Sequence, residues 1–148
     1  MKKLKIKEMT RLFLGLILVN LSNAGTCPDL CQCMNDKMIV CPGGLKKFPV
    51  FTGSEEFKEF LSMDNEIPTL PPLAHVLPKL KVLNLSKNKV AKISRGRFPD
   101  SIQDAWLDDN VIKSISSKIF SNLPNLMRIY LRNVSSCFTL WFIVKVFS

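Results

Sequence analysis

The stretch LKVLNLSKNKV, from Leu80 to Val90, carries leucine at positions one, four and six, asparagine at nine and valine at eleven. Three further stretches lie over it: FKEFLSMDNEI from Phe57, IQDAWLDDNVI from Ile102 and LMRIYLRNVSS from Leu126. The steps between the four are 23, 22 and 24 residues. All four hold an apolar residue at positions one and four, and three hold one at position six. The first three copies place Asn65, Asn88 and Asn110 at position nine. Two return segments also match, Leu77-Pro78-Lys79-Leu80 and Leu123-Pro124-Asn125-Leu126. Phe98 and Phe120 sit shortly before the following copies, as fillers for the convex side of a core.

The alternation has a period of two, which sends Leu83 and Leu85 to one face of a short strand. One such strand cannot bury its apolar face. Copies at a near-constant step stack as parallel strands about 4.8 Å apart over a continuous core. Where the chain turns out of the strand, backbone groups need partners, and a buried asparagine offers both donors and an acceptor. The spacing predicts an asparagine ladder in which each side chain serves the next coil. The repeating pattern L-x-x-L-x-L-x-x-N-x-L is the signature of a leucine-rich repeat. The expected fold class is α/β: a short leucine-rich repeat solenoid with one parallel β-strand per repeat and an irregular or 3-10 convex side. Such an architecture favours presenting a surface to another macromolecule.

The N-terminus reads as a secretory signal over residues 1–24. Lys2, Lys3, Lys5, Lys7 and Arg11 precede an apolar run of ten residues, Leu12 to Leu21, broken only by Gly15 and Asn20. Ser22-Asn23-Ala24 then supplies a cleavage site. An uncleaved anchor is the alternative, although ten residues is short against the roughly 20 that span a bilayer. Cleavage removes five basic residues and Glu8, so the net charge falls from +9 to +5 and a single domain of 124 residues remains.

Cys27, Cys31, Cys33 and Cys41 follow with the spacing C-x3-C-x-C-x7-C. In an exported chain this cluster reads as a disulfide framework, with a zinc site as the competing reading. Four cysteines allow three connectivities, and the tight ring needed to join Cys31 to Cys33 favours crossed pairs.

The cysteine cluster followed by repeats resembles extracellular leucine-rich repeat proteins with an N-terminal cysteine-rich cap: Slit-type guidance proteins, small leucine-rich proteoglycans and Toll-like receptor ectodomains. Cys27-Pro28, Cys31-Gln32-Cys33, Val40-Cys41 and Leu45-Lys46-Lys47-Phe48-Pro49 carry the resemblance. It implies the pairs Cys27–Cys33 and Cys31–Cys41, a cap over residues 25–50 covering the open end of the stack, and about four repeats over residues 51–134.

The other end departs from that pattern. Val134 stands where the fourth copy should hold asparagine, and residues 135–148 form an apolar non-repeat tail with the odd cysteine, Cys137. Three readings of the tail stand open: an improvised cover for the last coil, the end of a truncated or alternatively spliced product, or a membrane-interacting segment. Cys137 is a candidate for pairing between chains or for a free thiol.

Positions three, five, seven and eight of each copy are expected on the concave surface. Position five reads Leu61, Asn84, Trp106 and Tyr130, and its two aromatics are candidate interface anchors. Positions three and seven bring Asp104 beside Arg128 and Asp108 beside Arg132, while Lys87 falls beside Asp64 and Asp109. These charges are a recognition code or a solvated, balanced face. Lys79, Lys81, Lys87, Lys89, Lys92, Arg95 and Arg97 form a basic block with no acidic residue between Ile67 and Pro99. It is a candidate site for a sulfated glycosaminoglycan or an anionic membrane surface rather than nucleic acid, or a set of solubilising lysines. Asn84-Leu85-Ser86 and Asn133-Val134-Ser135 are N-glycosylation sequons, and a glycan on Asn84 would obstruct the surface beside Trp106.

No catalytic constellation is present: His75 is the single histidine, and Asp108-Asp109 lies on a shallow sheet rather than in a cleft. No metal site beyond the cap cysteines and no cofactor are expected. The function expected is a secreted module that binds an extracellular protein in matrix, adhesion or innate recognition. The alternatives are a matrix-polysaccharide binder acting through the basic block, and a truncated receptor acting as a soluble decoy.

Overall fold

The computed structural model describes residues 27–35, 37–52, 56–115 and 117–134. The expected signal over 1–24 and the tail with Cys137 lie outside the described residues.

Six three-residue strands form one sheet in chain order: β1 (Gln32–Met34), β2 (Met38–Val40), β3 (Glu59–Leu61), β4 (Val82–Asn84), β5 (Asp104–Trp106) and β6 (Arg128–Tyr130). β1 and β2 pair antiparallel, and every later pair is parallel. The last four strands are the four sequence copies, so each copy supplies one strand as its period of two requires. Their connections run behind the sheet, with a single helical turn, α1 (Leu73–Val76), in one and a 3-10 turn (Ser117–Ile119) in another.

The central residue of each strand points inward. Ile39, Phe60, Leu83, Ala105 and Ile129 stand in register across five strands, and none is more than 1% exposed. Position one (Phe57, Leu80, Ile102, Leu126) and position eleven (Ile67, Val90, Ile112) complete the core. Behind them Phe98 is buried and Phe120 half-buried, with ring centroids 6.1 Å apart, as the convex-side reading required.

The cap continues the sheet rather than only covering it. Two disulfides, Cys27–Cys33 and Cys31–Cys41, join its four cysteines as the resemblance implied, which replaces the zinc reading. The cap also contains an unadvertised coil. Cys41 N–H donates to Leu61 O at 2.8 Å. The same bond recurs as Ser62 N–H to Asn84 O, Leu85 N–H to Trp106 O and Leu107 N–H to Tyr130 O, at 2.8 to 2.9 Å. Cys41 thus occupies the slot that leucine fills elsewhere, and it is 1% exposed. Under the cap Phe60 packs against Phe48 and Phe51, with centroids 5.0 and 5.8 Å away.

The asparagine ladder runs opposite to expectation: each side chain serves its own turn and the preceding coil. Asn88 Nδ2 donates to Ser62 O at 2.8 Å, and its Oδ1 accepts from Ile67 N–H at 3.0 Å, both one coil back. Asn110 likewise donates to Leu85 O and accepts from Val90 N–H, at 2.9 Å each. Asn65 binds the cap by the same rule, through Cys41 O at 3.1 Å and Leu45 N–H at 2.8 Å. The reversal follows from where open backbone groups lie: Ser62 O and Ile67 N–H of the preceding coil have no backbone partner among the described residues, and the later Asn88 satisfies both. Ser62, the one polar residue at position six, is fully buried because its Oγ accepts from Asn65 Nδ2 at 3.0 Å.

Candidate functional site

The residues flanking each inward strand centre point out of the sheet, so positions three, five, seven and eight form one outward face. Registers place Leu61, Asn84, Trp106 and Tyr130 in a single row across β3 to β6. Trp106 and Tyr130 stack in parallel, with centroids 5.1 Å apart and planes 5° apart. The pair is offset, the arrangement that aromatic quadrupoles favour. Both rings are half-buried. The indole is pinned on one side by the tyrosine, so the pair presents a rigid edge rather than two mobile side chains.

The charges beside this row are engaged within the chain. Arg128 grips Asp104 through two bonds, Nε to Oδ1 at 2.5 Å and Nη2 to Oδ2 at 2.8 Å. That carboxylate, by hydrogen bond and by charge, holds the Arg128 pKa above its ordinary value, and Tyr130 adds to the effect. Asp108 Oδ1 accepts the Arg132 backbone N–H at 2.7 Å, while the Arg132 guanidinium stands off at 3.6 Å. Asp104 and Asp108 are each only 5% exposed. Position eight closes the set: Asn133 Nδ2 donates to Asp109 Oδ1 at 2.7 Å. The expected neighbours Asp104–Arg128 and Asp108–Arg132 therefore meet, but their aspartates are buried clamps on the last coil. Neither carboxylate lies open to a partner.

The basic block is divided by the fold. Lys79 pairs with Glu56 at 2.5 Å, Lys87 with Asp64 at 3.6 Å and Lys89 with Glu66 at 2.7 Å. Each acid lies 23 residues earlier, which is one coil. The lysines, by hydrogen bond and then by charge, hold Glu56 and Glu66 below the ordinary carboxylate pKa. Of the two acids expected beside Lys87, Asp64 pairs with it, and Asp109 bonds Asn133 instead. Lys81, Lys92, Arg95 and Arg97 carry no ion pair among the described residues. Sequence reasoning missed Glu56 and Glu66 as partners. Applying the repeat step to charges, as to leucines, finds both.

Of the two sequons, Asn84 sits on the outward face between Leu61 and Trp106, its Nδ2 3.1 Å from the Met63 sulfur. Its Oδ1 accepts from Ser86 N–H at 3.1 Å. Asn133 is exposed.

An inward leucine row, an asparagine ladder and a parallel strand per coil are now all on the page. The chain is a leucine-rich repeat solenoid. It is 31% identical over 121 residues to leucine-rich repeat-containing protein 3B of Homo sapiens and of Bos taurus, an alignment covering 77% of this chain and 46% of each relative. It is 32% identical over 80 residues to leucine-rich repeat-containing G-protein coupled receptor 6 of Danio rerio, covering 53% of this chain and 8% of the receptor. The solenoid chain thus spans less than half the length of the curated relatives it matches. No protein-family model matches it.

Proposed function

We propose that this solenoid is a protein-binding module that works outside the cell and docks a protein ligand on its outward sheet face, with Trp106 and Tyr130 as the anchor. The stacked pair carries the reading. Buried aromatics at the centre of a rigid patch contribute most to protein association. A pre-stacked pair also loses little rotamer freedom on binding. The neighbouring charges of Asp104 and Arg128 pair with each other, and the anchor shares its row with Leu61 and Asn84, with Val82 in the row of Asp104. Extracellular placement is supported by the two disulfides, which persist in oxidising compartments. A cleaved signal over 1–24 and a cap of the Slit, proteoglycan and Toll-like kind belong to the same reading, as does the likeness to part of a leucine-rich repeat-containing G-protein coupled receptor.

The test is a screen of the secreted protein, displayed as a multimer, against purified extracellular domains. The reading expects a partner that is lost with Trp106→Ala/Tyr130→Ala and kept with Lys92→Gln. A partner insensitive to the aromatic pair moves the site elsewhere. The reading also requires Asn84 to be unglycosylated. Intact mass before and after glycosidase decides that, since a glycan on Asn84 would stand beside Trp106.

A further inference from the structure

We propose that the return-segment face of the second and third coils, opposite the aromatic anchor, is a second binding site whose ligand is a sulfated polysaccharide chain. Its cations are Lys92, Arg95, Arg97 and Lys113. This goes beyond the protein-binding reading and does not depend on it.

Sorting the charges by coil produces the site. Lys79, Lys87 and Lys89 drop out of the linear basic block because acids one coil back hold them. Lys81 remains beside β4, Lys92, Arg95 and Arg97 remain on the return segment, and the next coil adds Lys113, which the linear block did not contain. Lys113 N–H donates to Ala91 O at 3.4 Å, which sets Lys113 alongside Lys92 on the neighbouring coil. Arg95 and Lys118 line one cleft together with the acid Asp100, and Phe98, Ile119 and Leu123 are its apolar lining. Asn122 lies in that cleft, and its amide oxygen, oriented to satisfy both neighbours, accepts from Arg95 Nη2 at 3.2 Å. The two return segments, 91–103 and 111–127, contain these four cations, Lys118 and one acid, Asp100. The cations therefore form a strip two coils wide with a net positive charge.

The chemistry of the strip selects its ligand. A flexible polyanion pairs with cations spread over adjacent coils and gains from released counterions. An anionic bilayer would add apolar residues that insert among the cations. Here the residues between the cations include Ser94, Gly96 and Ser114, and among the described residues of the two segments only Val111 and Met127 are large, apolar and exposed. Guanidiniums at Arg95 and Arg97 match the planar, bidentate geometry of sulfate oxygens. Disulfides support the extracellular reading, and sulfated polysaccharides rather than nucleic acid occur in that compartment.

The experiment uses the full secreted chain on heparin. Two triple variants remove the same charge: Lys92→Gln/Arg95→Gln/Arg97→Gln on the strip, and Lys79→Gln/Lys87→Gln/Lys89→Gln within the ion pairs. The wild type is expected to elute well above the roughly 0.15 M physiological salt. The strip triple is expected to lower the slope of log affinity against log salt by about 2, at roughly 0.7–0.9 per cation lost. The control triple should leave most of the retention in place, and Arg95→Lys/Arg97→Lys, which keeps the charge but removes the planar fork, should keep the salt slope while eluting at lower salt than wild type. Urea midpoints check that every variant is folded. Equal losses from both triples would show a net-charge effect and overturn the site. Elution of the wild type near physiological salt would overturn it too, as would tighter binding to phosphatidylserine vesicles than to heparin.

Discussion

Asn88→Ala should be among the most damaging single substitutions outside the hydrophobic core, and the structure sets its size. Asn88 makes four hydrogen bonds to backbone: it accepts from Ile67 N–H and donates to Ser62 O, Leu85 O and Ser86 O. Leu85 O retains Asn110, and Ser86 O retains Asp64 N–H, after the change. Ile67 N–H and Ser62 O do not, and both residues are fully buried. Each orphaned buried backbone group costs about 1–3 kcal/mol. The two together put the variant at about 2–6 kcal/mol, a large share of a domain's typical total of roughly 5–15 kcal/mol. Urea denaturation followed by circular dichroism measures it. Asn88→Asp sharpens the test. It keeps an acceptor for Ile67 N–H but faces three carbonyl oxygens with a carboxylate, so its folded pKa lies above its unfolded value. Such a group stabilises most below the unfolded pKa and loses that contribution as pH rises through the folded one. Relative to wild type, Asn88→Asp should be tolerated near about pH 4 and strongly destabilising near pH 7. An Asn88→Ala loss under about 1 kcal/mol, or a pH-independent Asn88→Asp, would refute the ladder as the device that ties coils together.

Position eight holds a left-handed backbone in every coil, with φ near 50° at Asp64, Lys87, Asp109 and Asn133. Lysine suits that region worst, so Lys87→Asn should stabilise by about 0.5–1 kcal/mol, read as a higher urea midpoint, even though it releases Asp64. Arg128→Met strands the buried Asp104 carboxylate and should lower that midpoint more than Arg132→Met, whose guanidinium stands farther from its acid. Closing rings of sequence separation 6 and 10, the disulfides should each contribute about 2–3 kcal/mol. Replacing Cys31 and Cys41 by serine should cost more than replacing Cys27 and Cys33, because only Cys41 fills a core slot. Glu56 and Glu66 have depressed pKa values, so their pairing contributes above the ordinary carboxylate pKa of 4.5 and is lost as pH falls through the depressed values. Lys79→Gln/Lys89→Gln should flatten that part of the acid titration of stability, and high salt should mimic it.

The strands and the ladder positions were legible because both follow from a period: two within a strand and about one coil between copies. Phe57, Leu80, Ile102 and Leu126 are buried as that period requires. The coil inside the cap was not legible. Ile39 and Cys41 fill the leucine slots there, and a cysteine read as chemistry conceals its second task as core. The direction of the ladder was not legible either, since composition and spacing place an asparagine at a turn without saying which neighbouring loop lies open to it. At the candidate site, registry brought Trp106 to Tyr130 as position five implied. The burial of Asp104 and Asp108 followed from the last coil needing acceptors for Arg128 and the Arg132 backbone, a demand visible only in three dimensions.

Charge in a solenoid has to be read across coils rather than along the chain. The first coil is acidic on its outer positions (Glu56, Asp64, Glu66), the second basic (Lys79, Lys87, Lys89), the third acidic (Asp104, Asp108) and the fourth basic (Arg128, Arg132). Folding at the repeat step lays each sign against its opposite, and five ion pairs result among the described residues. The three exposed pairs, of Lys79, Lys87 and Lys89, are worth only about 0–1 kcal/mol each, so their main effect is not stability. A shift of one coil in any pairing would set like charges side by side, which specifies register. The same alternation withdraws charge from the strand face and leaves the aromatic pair as its distinguishing feature. Lys81 excepted, the cations of the linear block that carry no ion pair among the described residues (Lys92, Arg95, Arg97) fall on one return segment, which is why the second site is proposed there rather than on the strand face.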